Sequence, residues 1–287
     1  LVERLRRSFL YTPGDSPEMM AKAADAGADA VTVDLEDAVR PEDKPQAREN
    51  LRAVRETADF GETELSVRVN EFGTDHWTAD LDAAVAAGVD TVTLPMVETP
   101  RAVEETVAAL DDLTDDPPEL VLLLESPAGV FAGREIAEAA AGLPRVTGLS
   151  FGVGDYARAT GGEPTSTRVR EFLSHRIVGF AAIGRLQPVS SVYPDPTDLD
   201  ALREVAARAA EVGFVGQSVI HPRQVPVVNE VFTPDPEAVA TARTHVEAYD
   251  ASDRGAFVHE GTFLDEALVE RYRRLVARAD AIAAADH

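Results

Sequence analysis

The sequence predicts an α/β chain folded as a (β/α)8 TIM barrel with a C-terminal helical extension. Three observations carry this: eight short apolar runs, the amphipathic segments that alternate with them, and a length of 287 residues, which accommodates one such barrel. The runs read as near-continuous Val, Leu, Ile and Phe. That is the pattern of parallel strands buried on both faces, not of half-exposed strands.

Taken in order, the first strand is expected at Ser8–Pro13 and a helix at Pro17–Ala26, closed by Gly27. Ala30–Leu35 is the second strand, followed by a helix at Lys44–Ala58. Leu65–Asn70 and the helix Trp77–Ala87 follow, with Gly88 as the stop. Next come Thr91–Val97 with Arg101–Leu110, Leu120–Glu125 with Gly129–Ala141, and Val146–Phe151 with Thr167–Ala182. Gln187–Tyr193 precedes a helix at Leu199–Val212, and Phe214–Ile220 is the eighth strand. Glycine after a last helical turn tolerates the positive φ that ends a helix. An open doubly wound sheet is the competing architecture, but no GxGxxG fingerprint follows the first strand. The pattern finishes near residue 232. The expected division is therefore a barrel over residues 1–232 and an extension over 233–287. The extension would hold a helix at Pro236–Ala251, a hairpin or loop at Gly255–Phe263 and a last helix at Glu266–Ala285.

Composition narrows the function. The chain has 51 acidic and 27 basic residues, a net charge of −24, and only two lysines, Lys22 and Lys44. Such a surface repels nucleic acid and anionic membranes. The acid is spread along the whole chain; adaptation to high salt is one explanation, an ordinary acidic cytoplasmic enzyme the other. With no cysteine, disulfides, thiolate zinc sites and cysteine nucleophiles are excluded. No apolar run is long enough to span a membrane, and the first residues lack the features of a secretory signal, so a cytoplasmic location is expected.

In a barrel the chemistry sits where strands end, and here polar residues follow the runs. The second run ends Asp34-Leu-Glu36-Asp37, the third carries Arg68 and ends at Asn70, and the fourth ends with Glu98. The fifth ends Glu125-Ser126, the sixth Gly152-Val-Gly-Asp155, the seventh Tyr193, and the eighth His221-Pro222. Glu125 and Asp155, on neighbouring units without nearby histidine or cysteine, suit a hard cation such as Mg²⁺. The alternative is a buried ion pair of Glu125 with Arg68 or Arg134. Asp34 and Asp37 are expected to cap the next helix and pair with arginines. Arg68 inside a strand needs either a ligand or an acid, and both remain open. His221 reads as a structural hydrogen-bonding residue. Gly148–Gly152 matches G-x-S-x-G, but Ser150 lies in an apolar run and a glycine turn is expected where a nucleophile elbow needs a helix. A nucleophilic Ser150 is therefore not expected.

Several motifs together carry a likeness: RSFLYTPGDSPEMMAKAADAGADAVTVDLEDAV, SVRVNEFGT, LPMVET, LLLESPAG, LSFGVGDYA, VIHPRQVPVVNEVFTP and GAFVHEGTFLDEALVERYRRLV. The chain resembles the citrate lyase β-subunit-like proteins of the HpcH/HpaI aldolase group, which includes malyl-CoA and citramalyl-CoA lyases. The likeness runs from about Arg7 to about Val276. It implies a magnesium-dependent carbon–carbon lyase acting on a coenzyme A thioester, assembled as a homotrimer or homohexamer with a mobile C-terminal segment. It implies Glu125 and Asp155 as metal ligands, with Glu125 also near substrate, and Arg68 as the residue that contacts substrate and stabilises an enolate. Asp265 is implied as an acid or base reaching a neighbouring subunit's site, and Arg7 and Lys44 as basic residues near substrate or the coenzyme A phosphates. Two departures stand out: Gly154 where the family often has an acid, and Ser190-Ser191-Val192-Tyr193 where a DGVY-like stretch is common. Other functions to weigh are a metal-dependent pyruvate-type aldolase, a malyl-CoA-type thioesterase, and a non-catalytic or acyl-carrier-dependent subunit.

Overall fold

A computed structural model describes residues 4–285 of the chain. Eight parallel strands close into a barrel in sequential order. They are β1 (Ser8–Pro13), β2 (Ala30–Asp34), β3 (Glu64–Arg68), β4 (Thr91–Leu94), β5 (Glu119–Leu124), β6 (Val146–Phe151), β7 (Gln187–Ser190) and β8 (Gly216–Val219). The ring closes where Ser8–Leu10 pair with Gln217–Val219. The closed order excludes the doubly wound sheet.

The connecting helices are α1 (Pro17–Ala24), α2 (Lys44–Thr57), α3 (Trp77–Ala86), α4 (Pro100–Leu113), α5 (Pro127–Ala140), α6 (Val153–Thr160), α7 (Thr167–Gly184), α8 (Leu199–Val212) and α9 (Val225–Phe232). Their starts are written in the sequence. Thr99, Ser126, Ser166 and Asp198 each accept a hydrogen bond from the backbone N–H three residues on, at α4, α5, α7 and α8. Proline occupies the first turn of α1, α2, α4 and α5, where its missing N–H costs nothing. One helix departs from expectation. The glycine turn expected after Phe151 is the start of α6, with Gly152 as N-cap and Asp155 in its first turn. Glycines on both sides of Val153 masked a helix of only eight residues.

Two compact units are distinguished. One is Arg6–Glu230, the barrel. The other runs from Val231 onward and includes Arg4 and Leu5. It contains α10 (Pro236–Asp250), the antiparallel pair β9 (Ala256–His259) and β10 (Thr262–Asp265), and α11 (Glu266–Ala285). The hairpin turns through Glu260 and Gly261, both at positive φ, which is why two short strands can pair across so tight a turn.

Strand side chains alternate between the barrel interior and the helix layer. Leu65, Val67, Leu120, Leu122 and Leu124 take the outer positions and are fully buried beneath the helices. The interior is more polar. At its N-terminal end Arg6, 3% exposed, donates to both carboxylate oxygens of Glu64 at 2.9 Å and to Thr147 at 2.9 Å. It also reaches Glu119 at 2.5 Å. One guanidinium thus ties β3, β5 and β6 together across the barrel floor.

Candidate active site

The C-terminal ends of the strands surround a cavity of about 400 Å³. Tyr11, Asp34, Arg68, Leu123, Glu125, Ser150, Ser191 and Ser218 line it, with Asp155 from α6 and Asp37 from the loop after β2. These strand residues lie at alternate, inward positions, as the barrel geometry requires. A second hollow, of about 410 Å³, is lined by the single segment Arg55–Gly61 and has no convergent set of strand-end groups.

Arg68 and Asp34 are direct register partners on β3 and β2. Arg68 Nε donates to Asp34 Oδ1 at 2.9 Å and Nη2 to Oδ2 at 2.6 Å. Nη1 stands 2.7 Å from Glu36 Oε2, close enough for an ion pair though without hydrogen-bond alignment. The guanidinium also lies over the Tyr11 ring, 5.5 Å from its centroid. Asp34 further accepts from the backbone N–H of Glu36 and Ala38, so it pairs with an arginine as expected but holds the loop after β2 instead of capping the next helix. The structural pairing considered for Arg68 is therefore present, and it fixes the fork at the cavity wall.

Glu125 is 4% exposed and forms no ion pair with Arg68 or Arg134; Arg134 binds Glu138 instead. Its Oε1 accepts from Met96 N at 3.2 Å. Met96 adopts φ 49°, an uncommon conformation for a side-chain-bearing residue, and this strain sits at the candidate site. Burial pushes the Glu125 carboxyl up to about 7, with the Asp155 charge adding to the shift and Arg68 opposing it. Burial likewise raises Glu36 to about 8 against the pull of Arg68. The Tyr11 hydroxyl is pushed up mainly by burial and stays a protonated donor. Asp155, half-buried, accepts from Arg158 at 2.6 Å.

The donor set fits a hard divalent cation. A Cβ on Gly152 would stand 2.3 Å from Glu125 Oε2, so only glycine at the α6 N-cap leaves the carboxylate its place. A buried carboxylate without a cationic partner, beside a second acid on the same cavity, is an incomplete charge arrangement. Among the described residues no group of three or more His, Cys, Asp or Glu could hold a metal. Two carboxylates with room for substrate and water is magnesium's preference, not that of a closed zinc site.

The family model for HpcH/HpaI aldolase/citrate lyase matches residues 7–222. The chain belongs to the HpcH/HpaI aldolase/citrate lyase family. An L-malyl-CoA/beta-methylmalyl-CoA lyase of Cereibacter sphaeroides is 34% identical over 310 aligned positions, covering 98% of this chain and 96% of the relative. A (3S)-malyl-CoA thioesterase of the same species is 33% identical over 283 positions, covering 97% and 96%. Among solved structures, protein CitE from Mycobacterium tuberculosis, in complex with magnesium, acetoacetate and coenzyme A, superposes with a TM-score of 0.77. It is 32% identical, over 96% of this chain and 98% of that one. A citrate lyase from Burkholderia xenovorans LB400 has a TM-score of 0.84 at 24% identity, covering 97% and 93%, and shows the shared fold.

Within this HpcH/HpaI aldolase/citrate lyase chain the cavity gathers Arg68, Glu125 and Asp155. Two expected site residues lie outside the cavity lining. Arg7 precedes β1 and so lies at the N-terminal end of the barrel, where its backbone N–H and guanidinium bind Asp29. It is remote from the cavity because the chain must still cross the length of β1. Lys44 is at the correct end but buried, its ammonium donating to the carbonyls of Leu35 and Glu36 at 2.7 and 2.8 Å. It holds the loop after β2 and is not among the cavity residues. Asp265 closes β10 in the other compact unit, and its Oδ1 accepts from Leu268 N at 2.9 Å, capping α11. Ser150 lines the cavity and α6 does follow its strand, yet no histidine lines that cavity to activate a serine. His221 Nδ1 accepts from Arg223 N at 3.1 Å, a local capping role. Tyr11 and Ser218 were not singled out from sequence, and Ser191 only as part of a departure from the family pattern; counting in twos back from the strand ends would have found them.

Proposed function

We propose that this protein is a magnesium-dependent carbon–carbon lyase that cleaves or forms a 3-hydroxyacyl-coenzyme A thioester of the malyl-CoA, citramalyl-CoA or citryl type. The observation that carries the reading is the buried Glu125 carboxylate, unpaired by any cation, beside Asp155 and facing Arg68 in the strand-end cavity. Relatedness over nearly the whole length to a malyl-CoA/beta-methylmalyl-CoA lyase supports the substrate class.

Glu125 and Asp155 would hold the cation, which when bound supplies a Lewis acid for substrate oxygens. Arg68, locked by Asp34 and Glu36, presents fixed positive charge at the wall. In cleavage the substrate hydroxyl gives its proton to water in the open cavity and its oxygen forms the new carbonyl, while the bond between that carbon and the thioester α-carbon breaks and its electron pair becomes a thioester enolate. Arg68 stabilises that negative charge without having to reorient. Asp265 gives a proton to the enolate carbon in cleavage and removes it in condensation. We further propose that Asp265 acts at the site of a neighbouring copy within a homotrimer or homohexamer. A coenzyme A thioester is an intracellular metabolite, consistent with a cytoplasmic enzyme. Among the described residues no helix is long and apolar enough to cross a membrane.

A second reading is a malyl-CoA-type thioesterase, and one observation favours it. The lyase alignment needs 310 positions, more than the 287 residues of this chain, whereas the thioesterase aligns over 283. The chain thus lacks insertions that the lyase carries. A panel of 3-hydroxyacyl-coenzyme A thioesters, assayed with Mg²⁺ and with chelator, separates the two. Chelator-sensitive formation of a carbonyl product and a shorter acyl-coenzyme A is expected. Free coenzyme A with the carbon chain intact would replace the lyase by the thioesterase.

A further inference from the structure

Alternate residues of a strand share a face, so β1 sends both Phe9 and Tyr11 into the barrel interior. Phe9 packs with Ala30 and Val189 in a small buried cluster, and the Tyr11 ring rests against that cluster. The Arg68 guanidinium lies over the same ring, 5.5 Å from its centroid. Apolar packing and cation together hold the ring in one pose at the cavity wall.

Its hydroxyl has no such support. A buried tyrosine ordinarily finds a partner for its O–H. The Tyr249 hydroxyl does so, standing 3.1 Å from the Gly255 carbonyl and 3.1 Å from a Glu266 carboxylate oxygen. Among the described residues the Tyr11 hydroxyl has no hydrogen-bond partner. It is not sealed in either, unlike the orphaned hydroxyl of Thr32, its register neighbour on β2. It opens on the cavity that Tyr11 lines. Burial keeps the phenol protonated, so it stands there as a neutral donor. Arg68 has capacity to spare beside it. Asp34 takes one N–H from Nε and one from Nη2, and Nη1 lies against Glu36, so part of the fork is left for a ligand.

We propose that Tyr11 is a catalytic residue whose hydroxyl, together with the Arg68 guanidinium, hydrogen-bonds the thioester carbonyl oxygen of the substrate. This rests on the coenzyme A thioester reading above. Placement selects that oxygen. Tyr11 and Arg68 come from β1 and β3, whereas Glu125 and Asp155 come from β5 and α6, on the far arc of the barrel. A substrate held there by its hydroxyl and carboxylate presents its thioester oxygen to β1 and β3. When the carbon–carbon bond breaks, its electron pair forms the enolate double bond and the carbonyl pair moves onto oxygen. Tyr11 keeps its proton and shares it in a hydrogen bond that strengthens as the charge grows. The contact is therefore worth more in the transition state than in the bound substrate.

The test is Tyr11→Phe, which keeps the ring, the apolar packing and the cation contact and removes only the O–H. With Mg²⁺ and the thioester panel, kcat should fall by about 10²–10³-fold, with KM and the urea midpoint little changed. An unchanged kcat would mean that the ring only packs beneath Arg68, and overturns the proposal. If the unaltered protein releases free coenzyme A with the carbon chain intact, the lyase reading falls separately. The proposal then requires the same loss in hydrolysis, because the tetrahedral intermediate places its charge on the same oxygen; hydrolysis at full rate in Tyr11→Phe overturns it. An unaltered protein inert towards every thioester overturns both.

Discussion

Arg68 and Asp34 face one another across adjacent strands and share two hydrogen bonds, at 2.9 and 2.6 Å. The pair has two uses at once. It joins β2 to β3 at the cavity rim, and it holds the one cavity-lining guanidinium in a fixed pose. Arg68→Ala should lower kcat by about 10²–10³-fold and, by stranding a buried Asp34, cost about 3–5 kcal/mol in denaturant unfolding. Arg68→Lys should recover much of the stability but little of the rate, because an ammonium cannot reproduce the fork. Normal turnover in Arg68→Ala would remove it from the mechanism.

Gly152 offers a sharper probe of the proposed cation site than deleting a proposed ligand. Gly152→Ala places a methyl group where Glu125 Oε2 sits, 2.3 Å away by the backbone geometry. Magnesium affinity measured by calorimetry should fall about 10–100-fold, while Glu125→Gln and Asp155→Asn should abolish binding. Unchanged affinity in all three would place the cation elsewhere.

Protons compete with the cation. In the folded chain the Glu125 carboxyl rises to about 7 and that of Glu36 to about 8. Both lie above the ordinary glutamate value, so the folded state binds more protons than the unfolded one between those values. Stability in chelator is therefore greatest at the acid end of this window and declines as pH rises from about 4.5 to about 8. The decline is read from urea midpoints across that range. Added Mg²⁺ should oppose the decline, and its affinity should climb with pH as Glu125 gives up its proton. A flat stability profile in chelator would refute the protonated state of both groups.

Asp265→Asn should keep the fold, since an amide oxygen can still accept from Leu268 N and cap α11. It should cut kcat by about 10²–10⁴-fold with KM little changed. Mixing it with Glu125→Gln subunits distinguishes where Asp265 acts. Partial recovery of activity in the mixture is expected if it serves a neighbouring copy; no recovery assigns it to its own.

The barrel was legible because strands buried on both faces write themselves as unbroken apolar runs. β1 and β6 lie where the runs predicted, β4 and β7 are each three residues shorter at their C-terminal ends, and β8 is shorter by two residues at its start and one at its end. Those trimmed ends are the rim, where Ser191 and Ile220 line the cavity and Met96 donates its backbone N–H to Glu125. α6 escaped notice because eight residues with an internal glycine carry no helical period. The acids at strand ends were readable as a set, but their pairing was not: whether Arg68 meets Asp34 or Glu125 depends on register between strands. Arg7 falls outside the cavity for a different reason. A motif shared with relatives marks a position in sequence, while its side of the barrel depends on which end of β1 it adjoins.

The Arg6 network has a consequence for traffic. With Arg6 strapped to Glu64, Glu119 and Thr147, polar side chains fill the far end of the barrel among the described residues, while the cavity lies at the strand ends. Two products formed against that filled floor would leave toward the strand ends, the fragment nearer the mouth first. Product inhibition should therefore be ordered, with one fragment competing with incoming substrate and the other not.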